Sequence, residues 1–286
     1  MTDQTRPVSG ETAIWLNGAE AAALPLPDRG LDFGDGLFET LLLKDGLPLY
    51  SELHLERLQA GCRTLMFPDC VDLVREQLQN AAAAIAARDW RWSAVRVTVT
   101  RGAGPRGYAP PEKAEPRIII AATRLQEPSR RLSGPARLGL SSVRWPSQPL
   151  LAGLKHLNRL ENVLAARECR EGAYDEAVML DQGGRPISVV AGNLFAVCDG
   201  RLLTPPLQSC GIAGTRRNLI MERWAPALGL AVCEEFMSLD QLQGAQELFY
   251  SNSLLGLRAV ASLGQRSWSD HPVCASLYQL YRDGLT

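Results

Sequence analysis

Lys155 has the setting that most suggests chemistry. It follows a glycine in Leu151-Ala152-Gly153-Leu154-Lys155-His156-Leu157, an otherwise apolar stretch that reads as leading into a helix. Burial disfavours an ammonium ion, lowers its pKa and leaves a free amine able to form an imine with a carbonyl compound. Taken alone, the same lysine also fits an ordinary surface residue. His54 and Arg57 stand three apart in Leu53-His54-Leu55-Glu56-Arg57-Leu58 and share one helical face. An arginine fork there suits a phosphate, and a solvated helix face gives the same pattern. Cys210-Gly211-Ile212-Ala213-Gly214-Thr215 is a glycine-punctuated turn into a helix, where backbone N–H groups can cradle a phosphate. Asn252 and Ser253, after the apolar run Leu248 to Tyr250, add amide and hydroxyl donors at a strand end.

Gly102-Ala103-Gly104-Pro105-Arg106-Gly107 matches the G-x-G-x-x-G dinucleotide fingerprint literally. Its context is wrong, because that fingerprint needs a helix opening at the glycines and Pro110 and Pro111 break one. The segment reads instead as a loop carrying Arg101 and Arg106, with a plain solvated turn as the alternative.

These groups need a scaffold. Ala13 to Leu16 and Leu24 to Leu26 read as strands, Leu37 to Leu43 as a buried strand, Lys44-Asp45-Gly46 as a hairpin turn, and Leu47 to Tyr50 as the returning strand. Ser51 suits the N-cap of a helix with Leu53, Leu58 and Leu65 near helical spacing, and a second helix is predicted over 71–87. Ala94 to Thr100 and Arg117 to Ala122 have the character of central strands, enclosing the candidate substrate loop Gly102 to Pro116. Further strands are expected near 137–143, 176–181, 194–198 and 202–203, with helices near 158–171 and 215–228. The polar stretch around Pro128-Ser129-Arg130-Arg131 marks a connection between two domains: 1–124, a linker at 125–132, and 133–286.

The chain of 286 residues is 46% hydrophobic and 21% charged, enough to bury a sizeable core. A formal net charge of -1 gives no global reason to expect nucleic acid or an anionic membrane. No apolar run approaches the roughly 20 residues that span a bilayer, and Met1 to Gly10 lacks a signal core, so a soluble cytoplasmic protein is expected. Seven scattered cysteines without a C-x-x-C pair, and three distant histidines, argue against disulfides and against a metal site. The nucleophile elbow G-x-S-x-G is absent.

Taken in order, Asp28-Arg29-Gly30, Phe33-Gly34-Asp35-Gly36-Leu37-Phe38-Glu39-Thr40, the His54 to Leu58 helix, the Lys155 segment, Asn193-Leu194-Phe195 and Gly211 to Thr215 resemble the fold-type IV family of pyridoxal-phosphate enzymes. That family contains branched-chain and D-amino-acid aminotransferases and aminodeoxychorismate lyase. The resemblance covers nearly the whole chain. It implies an α+β, two-domain fold with a small N-terminal α/β domain and a larger C-terminal domain that binds pyridoxal 5′-phosphate. It implies Lys155 as the Schiff-base lysine, Arg57 on the cofactor phosphate, and the backbone of Ile212 and Ala213 with the Ser253 hydroxyl completing the phosphate cup. Arg101-Gly102 with Arg106-Gly107-Tyr108, and Lys155-His156-Leu157-Asn158-Arg159-Leu160-Glu161, look most like the lyase branch. That branch turns 4-amino-4-deoxychorismate into 4-aminobenzoate and pyruvate for folate biosynthesis. The likeness further puts Thr40 near the reacting carbons, Arg106, Tyr108 and Asn158 at the substrate, and the protein in a homodimer. An aminotransferase of branched-chain or D-amino acids is the runner-up, and a non-catalytic cofactor-binding homologue the third reading.

One position departs from the family. Five residues before Asn193, relatives usually carry a glutamate that pairs with the pyridine nitrogen, and here Ser188 stands. A hydroxyl can hydrogen-bond that nitrogen but supplies no counter-charge, which weakens the electron sink and favours elimination over transamination. Glu176 and Asp181 are the alternative carboxylates for that role.

Overall fold

The computed structural model describes residues 7–127 and 132–285, with side chains from residue 11 onward. Half of the expected linker, residues 128–131, and the first six residues lie outside that description. The chain divides into two compact units, Met1–Pro128 with Leu154–Asn158, and Ser129–Gly153 with Arg159–Thr286. The Lys155 segment thus groups with the N-terminal half of the sequence.

The first unit is built on an antiparallel sheet of β1 (Pro7–Leu16), β2 (Ala19–Glu20), β3 (Gly36–Lys44), β4 (Leu47–Pro48), β5 (Trp92–Thr100) and β6 (Arg117–Leu125), in the order β2-β1-β6-β5-β3-β4. A short helix, α1 (Arg29–Phe33), precedes β3, and α2 (Ser51–Thr64) and α3 (Val71–Ala86) follow β4. Strand alternation separates the two faces of the sheet. Leu37, Leu41, Leu43, Val95, Val97, Val99, Ile118 and Ile120 form one core with Leu55 and Leu58 of α2 and Val74, Leu78 and Ile85 of α3. Asp45 (φ 49) and Gly46 (φ 76) make the expected left-handed hairpin turn. Two local expectations are corrected. Leu24 to Leu26 forms no strand, since Pro25 and Pro27 lack the N–H groups that a ladder needs. Ser51 is the first helical residue of α2 rather than its cap, which is Tyr50 in a left-handed conformation without a side-chain cap bond.

The second unit contains β7 (Ala136–Arg144), α4 (Leu160–Glu171), β8 (Glu176–Leu180), β9 (Pro186–Val189), β10 (Gly192–Cys198), β11 (Arg201–Thr204), α5 (Thr215–Leu219), α6 (Ala225–Ala227), β12 (Val232–Glu234), α7 (Leu239–Gly244), β13 (Glu247–Asn252), β14 (Gly256–Leu263), β15 (Arg266–Ser267) and α8 (Pro272–Asp283). Its sheet runs β12-β11-β10-β13-β14-β7-β8-β9, and β9 also pairs with β10. Six strands therefore close on themselves, which removes the exposed edges that an open sheet leaves. The helix expected over 215–228 is interrupted by a π turn at Ile220–Trp224. Pro226 lies two residues past the π turn, at the start of α6, where it can neither donate to nor fit beneath the preceding turn of a continuous α-helix. Among the described residues, no helix is long and apolar enough to cross a membrane.

Candidate active site

Lys155 is not at the start of a helix, because α4 begins at Leu160. Residues 155–157 instead extend the first unit's sheet along the free edge of β3. The N–H of Phe38 donates to the Lys155 carbonyl (2.9 Å), the N–H of Leu157 donates to the Gly36 carbonyl (3.0 Å), and His156 lies opposite Leu37. This register turns the lysine toward the sheet face that carries Phe38 and Thr40. Its Nζ lies 4.3 Å from the centre of the Phe38 ring. Thr40, two residues along β3 and half-buried, shares that face. So does Arg96, the cross-strand partner of Thr40, whose guanidinium stacks on Phe38 at 3.8 Å and donates to the Thr98 hydroxyl at 3.3 Å. Sequence reasoning passed over Arg96. The signal that could have found it is a lone cation on the polar side of an alternating strand.

Arg57 and His54 do share a helical face, and they meet on a carboxylate that had no assigned role. Glu39, on the core side of β3, accepts from Arg57 Nε (2.8 Å) and Nη2 (2.5 Å), and its Oε2 lies 2.7 Å from His54 Nδ1. Glu39 is 2% exposed and His54 fully buried. Burial pushes the Glu39 carboxyl up, but Arg57, with help from His54, more than offsets it and holds the group at about 2. One edge of the Arg57 fork is thus committed to Glu39, so any phosphate contact falls to its other N–H groups.

Asp28 caps α1. Fully buried, it accepts from the Gly30 N–H (2.8 Å), the Thr100 hydroxyl (2.9 Å) and Arg117 (2.9 Å), which ties the helix to the ends of β5 and β6. The segment between those strands is irregular, as expected, and its residues Arg106 and Tyr108 are exposed. The Tyr108 ring rests on Phe33 with centroids 5.5 Å apart. Asn158 lies before α4 rather than in it, and its amide donates to the Gly34 carbonyl at 3.1 Å, at the end of α1.

The remaining expected residues belong to the second unit. Ser188, buried on β9, is the cross-strand partner of Asn193, and its Oγ accepts from the indole N–H of Trp145 at 2.9 Å. Of the two carboxylates considered in its place, Asp181 is bound by Arg185 through Nε (2.8 Å) and Nη2 (2.7 Å). Glu176 receives the Ala191 N–H at 3.3 Å. The Asn193 amide donates to the Ile212 carbonyl (2.8 Å), and the Ala213 N–H donates to the Gly153 carbonyl (3.0 Å). The Ala213 N–H therefore already has an acceptor in the backbone. The N–H groups that a helix start turns outward belong to Thr215, Arg216 and Arg217, because the N-cap is Gly214. Ser253 lies beyond β13, and its carbonyl accepts from Arg216 at 3.3 Å.

A sequence model of the amino-transferase class IV family matches residues 36–263, and the chain belongs to that family. It is 33% identical over 255 residues to aminodeoxychorismate lyase of Vibrio harveyi, covering 87% of this chain and 91% of that one. The crystal structure of 4-amino-4-deoxychorismate lyase from Pseudomonas aeruginosa superposes with a TM-score of 0.85 at 39% identity, covering 94% of this chain and 98% of that one. The branched-chain amino acid aminotransferase of Escherichia coli gives a TM-score of 0.83 at 25% identity, with 95% and 93% covered. The fold is that of the fold-type IV enzymes, and the cofactor is pyridoxal 5′-phosphate. The donor set fits that group: a primary amine for an aldehyde, and a guanidinium, a hydroxyl and helix-start N–H groups for a phosphate monoester.

Proposed function

We propose that this chain is a lyase converting 4-amino-4-deoxychorismate to 4-aminobenzoate and pyruvate, as a cytoplasmic homodimer serving folate biosynthesis. The observation that carries the reading is near-full-length similarity, at 33% and 39% identity, to two enzymes bearing that activity. When bound, pyridoxal phosphate supplies an electron sink for the carbanion that elimination requires. Lys155 would hold the cofactor through its side-chain amine, and with that amine free it would take the proton from the substrate ring carbon bearing the nitrogen. Enolpyruvate leaves from the neighbouring carbon as the ring becomes aromatic. The Thr40 hydroxyl, or Lys155 itself, returns a proton to it. Support for this pairing comes from the shared sheet face of Thr40 and Phe38 and from the lysine amine above the Phe38 ring.

Arg106 holds a substrate carboxylate through paired hydrogen bonds, with Tyr108 and Asn158 nearby. Arg57, the Ser253 hydroxyl and the backbone around Ile212, Ala213 and the start of α5 serve the cofactor phosphate. Ser188 would serve as a neutral partner for the pyridine nitrogen. The indole N–H donating to its oxygen supports that role, since the hydroxyl proton is then left to be donated elsewhere.

The test has two parts. Borohydride reduction of the cofactor-loaded protein followed by peptide mass mapping should label Lys155, and Lys155→Ala should remove the label and all turnover. Incubation with 4-amino-4-deoxychorismate should release pyruvate. Conversion of the bound cofactor to its pyridoxamine form by an amino acid alone, without pyruvate release, would establish the aminotransferase reading that the Escherichia coli likeness supports. A protein that binds cofactor and does neither is the non-catalytic homologue.

A further inference from the structure

A buried side chain on α1 holds the loop between β5 and β6. Arg29, 3% exposed, donates through Nη1 to the carbonyls of Gly107 (3.0 Å) and Ala109 (3.3 Å) and through Nη2 to the carbonyl of Tyr108 (2.7 Å). Its Nε donates to Asp35 Oδ2 (2.9 Å), and its backbone N–H donates to the Gly102 carbonyl (2.8 Å). The same Asp35 oxygen accepts from Arg101 Nε (2.8 Å), and the rest of the Arg101 fork holds the Leu65 and Met66 carbonyls. Two glycines make the approach feasible. A Cβ on Gly104 would stand 2.6 Å from the Arg29 stem, and one on Gly102, at φ +77, would stand 2.1 Å from the Glu115 carbonyl at the far end of the loop.

This arrangement is unusual for a solvated turn. Exposed loop carbonyls are satisfied by water, and burying a guanidinium without acceptors is costly. Here one cation binds three consecutive carbonyls, fixing the backbone from Gly107 to Ala109, directly after Arg106. The side chains flanking that glycine are Arg106 and Tyr108, both exposed and therefore available to a ligand. Phe33 underlies both the Arg29 guanidinium (4.8 Å) and the Tyr108 ring.

We propose that Arg29 is a positioning residue for substrate: by clamping the Gly107–Ala109 carbonyls and anchoring on Asp35, it presets Arg106 and Tyr108 for an anionic substrate. The proposal rests on the reading of Arg106 as the carboxylate partner. Preorganisation of this kind lowers the ordering cost of binding and acts on KM more than on the chemical step.

The experiment compares wild-type holoenzyme with Arg29→Gln and Arg29→Lys by two readouts. Limited trypsin digestion, which needs no substrate, should cut the Arg106–Gly107 bond about 10-fold faster in Arg29→Gln, with Arg29→Lys intermediate because it keeps the charge but lacks the fork. Steady-state assay with 4-amino-4-deoxychorismate should show KM raised about 10-fold with kcat within about twofold of wild type, and no further rise in KM when Arg29→Gln is added to Arg106→Ala. Should the glutamine variant fail to fold, the lysine variant carries both arms. Unchanged cleavage overturns the proposal. So does faster cleavage with KM unmoved, because the loop would then be held for reasons other than substrate. A wild-type enzyme that releases no pyruvate sinks the functional reading, and the proteolysis arm still decides whether Arg29 holds the loop.

Discussion

Replacing Glu39 by glutamine should destabilise the first unit by about 3 kcal/mol at pH 7, and the reasoning runs through a measurable pH signature. The carboxylate is 2% exposed and receives three charge-assisted or polar contacts from Arg57 and His54. Its drop from the usual 4.5 to about 2 corresponds to about 3 kcal/mol of preference for the ionised form in the folded state. Glutamine keeps one acceptor oxygen, but its amide points a donor at another donor and leaves the Arg57 charge without a counter-ion in a desolvated place. Because the folded value lies below the unfolded one, this stabilisation is complete above pH 4.5 and is lost as pH falls toward 2. Urea unfolding of the cofactor-free protein, followed by fluorescence at several pH values, should show the wild-type advantage narrowing by about 1 kcal/mol between pH 7 and pH 3.5. An advantage below 1 kcal/mol at pH 7, or one that does not narrow on acidification, would refute the account of the buried ion pair.

Three more perturbations follow from the same geometry. Burial, only partly offset by the N–H groups of Ala191, Val190 and Ala177, raises the Glu176 carboxyl to about 7, so its stabilising protonation is lost between pH 4.5 and 7. Glu176→Gln should therefore be more stable than wild type by about 1–3 kcal/mol at pH 8, seen as a higher melting temperature, and match it near pH 4.5; an equal melting point at pH 8 counts against it. Ser188→Ala strands the Trp145 indole N–H and should cost about 1–3 kcal/mol in the cofactor-free protein, seen as a lower melting temperature, whereas an unchanged melt would mean that water replaces the hydroxyl. Arg57→Ala should weaken cofactor binding at least about 10-fold in an absorbance titration, and a variant that retains cofactor as tightly as wild type removes Arg57 from the phosphate site.

The elements that alternate or recur cleanly were legible. β3, β5 and β6 announce themselves by Leu37 to Leu43, the valines at 95, 97 and 99, and Ile118 to Ala122, and the structure pairs them as neighbours. The short helices were less so. A start of α4 at Asn158 lies two residues early, because the Asn158 amide is used at the end of α1 instead. The segment 154–158 pairs with a strand more than a hundred residues earlier, and no local pattern encodes that.

The same limit bears on which residues could be proposed from sequence. Lys155, Arg57 and Ser253 stand out by side-chain type and neighbours in sequence, while Ser188 stands out only through the family resemblance. Glu39 and Arg29 do not, although both lie in the motifs named above, because their roles are defined chiefly by distant partners, 15 and 18 positions away for Glu39 and 78 to 80 for the loop carbonyls that Arg29 holds. Glu39 stands on a core-facing position where alternation predicts a hydrophobe, so a carboxylate there demands a buried cation. Arg29 sits at the start of a five-residue helix, where the positive dipole end disfavours a cation, so an arginine there calls for a partner beyond its own helix. Each is a residue that breaks the local rule for its element. In this chain both exceptions lead to buried charge networks, one beside the strand that Lys155 pairs with and one beneath the loop that carries Arg106.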